Sequence, residues 1–236
     1  MANIIEQTVA AINRWNAIRN DSGPVINYFN QGSCFVLSRD DYKEWKGVWE
    51  ILGKPSDFSI HGYFGLVPNG KDMRLALFGV DQQTDSLNIA KNSSAYEDNI
   101  KELPYQDGLK AYLPISDKDH NNSFFNDRTQ ISEKDALKAS MAWDLYKDEW
   151  VKQQDDMVQV FRIPFSDMNA LFDYDSAINE VIMIMALTER EEYGTIIDMM
   201  LWGSYNGKLI WQDNPQDFLE PCPPYYPAPS QYHLLP

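Results

Sequence analysis

The sequence predicts an α+β fold with helices packed on a mostly antiparallel sheet. Amphipathic helical stretches alternate with short β-prone runs, two pairs of apolar runs are each joined by turn-forming residues, and the order helix, strand, helix, hairpin occurs twice. A chain of 236 residues, 44% hydrophobic and 13% aromatic, with 12 Gly and 13 Pro, can bury a sizeable core. One compact α+β domain over residues 1–236 is expected.

In the first segment Ile4, Ile5, Val9, Ile12, Trp15 and Ile18 recur at three-to-four-residue spacing, predicting a helix that ends near Asn20 and Gly23-Pro24. Cys34-Phe35-Val36-Leu37 reads as a strand. Asp40 then caps a helix carrying Tyr42, Trp45, Val48, Trp49 and Leu52. Phe58 to Leu66 and Met73 to Val80 form a hairpin across Pro68 to Asp72, where Asn69-Gly70 supplies the positive φ of the turn. Residues 82–130 read as a polar connector with a minor helix near Tyr96 to Leu103.

Ser132 caps a second long helix with Ala136, Ala139, Trp143, Tyr146 and Trp150 on one face. Met157 to Ile163 is a strand stopped by Pro164, Ser166 caps a short helix with Met168, Leu171 and Phe172, and Val181 to Leu187 with Ile196 to Trp202 form a second hairpin closed by Gly203. The two units, at about 1–90 and 131–212, align Phe35 and Leu37 with Phe161 and Ile163, and Leu75, Leu77 and Gly79 with Met199, Leu201 and Gly203, as a duplication would. Residues 213–236 are proline-rich and predict an extended tail. It serves either as a ligand for an aromatic groove or, the favoured reading, lies across its own domain through Phe218, Tyr225 and Tyr226.

The units Phe35 to Leu52, Phe58 to Leu66 and Leu75-Ala76-Leu77-Phe78-Gly79-Val80-Asp81, with the ending Pro221-Cys222-Pro223-Pro224-Tyr225, resemble a group of uncharacterised bacterial hypothetical proteins with a VGVD-like strand end and a CPPxC-like tail. Tyr225 or Tyr226 stands where that pattern puts a second cysteine, which sets aside a redox or metal role for the tail. The resemblance implies no activity, catalytic residue or cofactor.

A formal charge of −15, from 35 acidic and 20 basic residues, repels phosphate backbones and anionic lipid. Neither nucleic acid nor a membrane is therefore expected as a partner, whereas a basic protein would be attracted. The N-terminal stretch has no basic region and is interrupted by Glu6, Gln7, Asn13 and Arg14, so a cytoplasmic protein is expected. Cys34 and Cys222 are far apart and read as reduced, buried thiols.

No stretch nominates a catalytic, cofactor-binding or metal-binding residue. His61-Gly62-Tyr63-Phe64-Gly65 lacks phosphate-loop spacing, and His61, His120 and His233 share no ligand spacing. Asp117 to Asn122 alternates oxygen ligands but has Asn122 where a calcium loop needs Gly and Arg128 where it needs Glu. Cys34 could meet His61 across neighbouring strands, but Cys34 reads as structural. The acidic pairs Asp40-Asp41 and Asp155-Asp156 and the run Glu189 to Glu192 read as caps or solvated turns. Trp45, Trp49, Trp143, Trp150, Trp202 and Trp211 are interface anchors or, more in keeping with their spacing, core.

The favoured functional expectation is a noncatalytic interaction protein of adaptor or immunity type, with an acidic surface. Its rival is a small-ligand binder or enzyme with a site between the two units, lined by Asp40, His61, Arg74 or Asp198. A third reading is a homo-oligomer joined through a hairpin edge.

Overall fold

The computed structural model describes residues 3–87, 91, 93–106, 131, 133–206, 208–209, 220–222, 232 and 234–235. Its elements are α1 (Ile4–Ile18), α2 (Ser22–Phe29), β1 (Cys34–Ser38), α3 (Arg39–Ile51), β2 (Ser59–Asn69), β3 (Asp72–Asp81), α4 (Gln82–Asp85), α5 (Ser93–Asn99), β4 (Lys101–Pro104), α6 (Glu133–Lys152), β5 (Val160–Pro164), α7 (Phe165–Tyr174), β6 (Glu180–Arg190), β7 (Gly194–Tyr205), β8 (Lys208–Leu209) and β9 (Glu220–Cys222). The fold is α+β, with two antiparallel sheets ordered β4-β3-β2-β5-β9 and β1-β6-β7-β8.

Strand alternation sorts the side chains into layers. One set, Phe35, Leu37, Ile60, Phe64, Leu75, Leu77, Phe161, Ile163, Met183, Met185, Met199 and Leu201, forms a shared core between the sheets. The opposite face of the β2 sheet packs Tyr63, Val67, Phe78 and Val80 against Ile5, Ala11 and Ile12 of α1 and Tyr96 of α5. On the far side of the other sheet, Cys34, Ile182, Ile184 and Met200 meet Ala136 and Ala139 of α6. The layers therefore run helix, sheet, sheet, helix. Gly65 sets the α1 spacing, since a Cβ there would lie 2.7 Å from the Phe78 ring and 3.1 Å from the Ala11 backbone.

The strands are exchanged between the halves. β1 does not join the hairpin that follows it but pairs with β6, from Cys34 opposite Ile184 to Ser38 opposite Glu180. Likewise β5 pairs with β2, from Val160 opposite Tyr63 to Pro164 opposite Ser59. Phe35 and Leu37 thus lie opposite Met183 and Val181, and Phe161 and Ile163 opposite Gly62 and Ile60. Within the hairpins the registers are two residues out from the sequence alignment: Ile60 faces Asp81 and Val181 faces Gly203, so Gly203 stands in the place of Asp81. α3 and α7, each leaving its strand directly, pack side by side: Tyr42 stacks on Phe172 at 4.2 Å and donates to Asn169 Oδ1 at 2.8 Å. Arg39 adds hydrogen bonds to the carbonyls of Phe172, Asp175 and Ile178 beyond and at the end of α7.

Several local expectations are corrected. The first helix stops at Ile18, and a second, α2, begins at Ser22 with Asp21 as its cap. Pro24 sits in its first turn, where a missing N–H removes no helical bond. Ser38, not Asp40, caps α3, and α7 starts at Phe165 with no side-chain cap, so Ser166 is already helical. The hairpin strands run to Asn69 and Asp72, leaving Gly70 (φ 66°) and Lys71 as a two-residue turn. Ser132 lies outside the described residues.

Residues 82–106 are not a bare connector. They form α4, α5 and the edge strand β4, and Gln106 then bridges to Cys34 of the other sheet, joining the two sheets through one short segment. In the tail, Glu220 to Cys222 extends the β2 sheet as edge strand β9, with Pro221 where no central ladder needs its N–H. Tyr232 and Leu234 are buried against the domain, while Phe218, Tyr225 and Tyr226 lie outside the described residues.

Candidate functional site

On the outward face of the β2 sheet, beyond α1, lies a fully buried polar cluster. Alternation places His61 and Tyr63 side by side on β2, and α4 brings Asp85 over both. Asp85 Oδ2 lies 2.5 Å from His61 Nδ1 and accepts from the Tyr63 hydroxyl at 2.5 Å. All three residues are 0% exposed. The Tyr96 hydroxyl donates to the backbone carbonyls of Asp85 and Leu87 at 3.0 and 2.8 Å, fixing the turn that carries Asp85. Above them sits Tyr232, its ring centroid 4.6 Å from His61 and 6.0 Å from Tyr63, nearly perpendicular to both. Arg162 of β5 is the cross-strand neighbour of His61 and donates to the Asp57 carbonyl at 3.2 Å.

This cluster costs folding energy, because buried polar groups are neutral only when fully hydrogen-bonded. His61 Nε2 and Asp85 Oδ1 have no hydrogen-bond partner among the described residues. Burial first, and then the Asp85 carboxylate, holds the Tyr63 phenol well above its ordinary range, so it stays a proton donor to that carboxylate. Tyr96 shifts upward for the same reasons.

Asp81, at the end of β3, caps α4 by accepting from the Thr84 N–H at 2.8 Å. Burial raises its carboxyl above the ordinary aspartate value, outweighing that cap. The folded state therefore holds this proton more tightly than the unfolded chain, and the associated stability is lost as pH rises from about 4 through the folded value. Asp81→Asn keeps the cap and removes the charge. Its stability profile should gain most near neutral pH and decline less with rising pH than that of the native chain, as urea titrations across pH would read.

The four residues expected to line an inter-unit site are not brought together. Asp40 is exposed on α3 and paired with Lys43, and Arg74 pairs at the surface with Glu102 of β4 at 2.9 Å. Asp198 is buried on the outward side of β7, accepting from Thr188 and Arg190 at 3.0 and 2.9 Å. His61 and Asp198 sit in separate polar groups on the outward faces of the two sheets, and the space between the sheets is filled by Phe35, Phe64, Phe161 and Met199, all 0% exposed. Cys34 and His61 point out of opposite sheets and do not meet. Both cysteines are free and buried, and burial pushes the Cys222 thiol up to about 11.

No family model, curated protein or solved structure matches the chain. The resemblance read from Leu75 to Asp81 and from the tail therefore assigns no family. Among the described residues no group of three His, Cys, Asp or Glu side chains could hold a metal ion, and no helix is long and apolar enough to cross a membrane. His120 and His233 and the segment Asp117 to Asn122 lie outside the described residues.

The tryptophans are settled by burial. Trp45, Trp143 and Trp202 are at most 2% exposed and Trp150 is 9%, so they are core and not interface anchors. Trp49 is half-buried, with its indole N–H on the Pro55 carbonyl at 3.0 Å, and Trp211 lies outside the described residues. Exposed large apolar side chains include Ile51, Leu52 and Tyr174, and three more lie close together in sequence on α6. Its inward stripe buries Ala136, Ala139, Trp143 and Trp150, while Met141, Leu145 and Tyr146 are 54%, 66% and 56% exposed. Tyr146 was expected in the buried stripe, but Ser140 and Val151 are buried as well, which puts the centre of the buried face roughly 80° round the helix from Tyr146, at 100° per residue.

Proposed function

We propose that the chain is a protein-binding module that takes a basic protein partner on the outer face of α6. The observation that carries this reading is the exposed trio Met141, Leu145 and Tyr146 within two turns of one outer-layer helix, where polar residues are the rule. Met and Tyr suit a docking surface, the one adaptable in shape and the other a rigid amphipathic anchor.

Charge favours the partner's chemistry. Asp144, Asp148 and Glu149 lie within one turn of Leu145, and Lys147 is drawn back along the helix to Asp144. Asp148 and Glu149 have no ion pair among the described residues. With −15 over the chain, association with a basic surface would be accelerated at low salt.

A photo-crosslinking residue at position 145 and the double variant Met141→Glu/Leu145→Glu test the proposal together. Both substituted sites face solvent, so the double variant should unfold within about 0.5 kcal/mol of the native chain. In native capture it should lose the partner that position 145 crosslinks in the otherwise native chain, and capture by the native chain should weaken as salt rises. A partner held equally well by the double variant, or one with an acidic contact surface, would refute this assignment. A retained small molecule in native mass spectrometry would favour the ligand-binding alternative.

A further inference from the structure

The β2–β3 hairpin runs on past its sheet. The ladder of β2 with β5 ends at Tyr63 and that of β3 with β4 at Ala76, so beyond Leu66 and Leu75 the two strands have only each other as ladder partners. Val67 is the last buried residue of β2, and Pro68 to Asp72 are exposed. The terminal pair of the ladder, Asn69 with Asp72, closes the turn.

This tip carries one of the two Asn-Gly pairs in the sequence. Gly70 has φ 66° and open space where a Cβ would point. Among the described residues neither the Asn69 side chain nor the Gly70 N–H makes a hydrogen bond. In the other pair, Asn206-Gly207, the asparagine is restrained: Asn206 Oδ1 accepts from Asn179 Nδ2, and its backbone N–H donates to Asn179 Oδ1, both at 3.1 Å.

We propose that Asn69 is a modification site, where the folded chain converts its own asparagine to aspartate and isoaspartate ahead of Asn206. The Gly70 N–H gives its proton to hydroxide, and the nitrogen lone pair forms a bond to Asn69 Cγ. The Cγ–Nδ2 bond breaks, and ammonia leaves with a proton taken from water. Water then opens the succinimide ring. Attack at Cγ restores the ordinary backbone with an aspartate side chain; attack at the main-chain carbonyl leaves the backbone running through Cβ and Cγ. Nothing is oxidised or reduced. A side chain on the residue after Asn69 would crowd the ring closure, and Gly70 has none. Closure also takes Asn69 out of its extended conformation, which needs the Asn69–Asp72 pair to open, and a terminal, solvent-exposed pair is the cheapest to open. Either product places a carboxylate opposite Asp72, where like charges repel, and isoaspartate lengthens the backbone beside a turn of two residues. The reaction is therefore not undone by the fold.

The native chain is aged in mildly alkaline buffer, with and without urea. Peptide mass spectrometry reads the amide-to-acid conversion at each asparagine, and methyl transfer by an isoaspartyl methyltransferase reads the isoaspartate. In the folded chain Asn69 should convert roughly fivefold faster than Asn206, the factor that one net hydrogen bond is worth. Most of the methyl transfer should be lost in aged Asn69→Gln, whose longer side chain would have to close a larger ring. An intact Asn69, conversion no faster than at Asn206, or conversion of Asn69 in urea alone would overturn the proposal.

Discussion

Asp85→Ala is expected to lower the free energy of unfolding by about 3–5 kcal/mol, because it removes the acceptor shared by two buried groups. His61 Nδ1 and the Tyr63 hydroxyl both lose their partner at 2.5 Å, and neither can reach water from a site that is 0% exposed. Out of a typical total of about 5–15 kcal/mol, such a loss leaves a marginal protein. The diagnostic comparison is with the triple variant Asp85→Leu/His61→Leu/Tyr63→Phe, which removes donors and acceptor together. Its stability should return to within about 1–2 kcal/mol of the native chain or exceed it. Urea denaturation with unchanged m-values would read both. A triple variant as unstable as Asp85→Ala would mean that packing around these side chains, and not the unpaired groups, sets the loss.

Phe64→Ala should cost a similar amount, about 3–5 kcal/mol, for a different reason. Phe64 projects from β2 into the core between the sheets. Its ring contacts Trp15 at 5.3 Å, Phe161 at 5.6 Å, Phe35 at 5.8 Å and Phe29 at 6.1 Å. Those neighbours come from α1, β5, β1 and α2, so the cavity would open where both halves and both sheets meet. Rigid rings on four elements cannot all collapse into it. Phe64→Leu, which refills most of the volume, should recover more than half of the loss in the same urea titration. Equal midpoints for the two variants would show that the ring's shape matters more than the volume it fills.

Much of the fold was legible because its signals are local. The α1 stripe, the Asn69-Gly70 turn and both hairpins depend on residues within a few positions of one another. α2 was missed because Pro24 reads as a stop, although in a first turn it is tolerated. β4 was missed because Lys101 to Pro104 is short, polar on one side and ends in proline, as edge strands do. The strand exchange could not be read at all, since nothing in β1 says whether it pairs with β2 or with β6.

The polar cluster was half visible. His61 stood out as one of three histidines, but it was weighed against Cys34, its neighbour by sequence pattern rather than in space. Asp85 was hidden in Gln82-Gln83-Thr84-Asp85, which by composition is a solvated connector. Only the turn back over β2 buries it completely. Tyr232, nearly 150 residues further along, carries no local signal that ties it to either.

The exchange of β1 and β5 also bears on how the chain is made. As the N-terminal half leaves a ribosome, β2 and β3 can zip together through their two-residue turn, but β1 has no strand to join and the free edge of β2 has no cover. Both wait for Val160 to Arg190, about a hundred residues later or more. Until then an apolar strand and an open edge are presented to the cell at the same moment, so a nascent-chain chaperone is expected to engage the first half, and a stalled or truncated product should aggregate instead of persisting as a folded half.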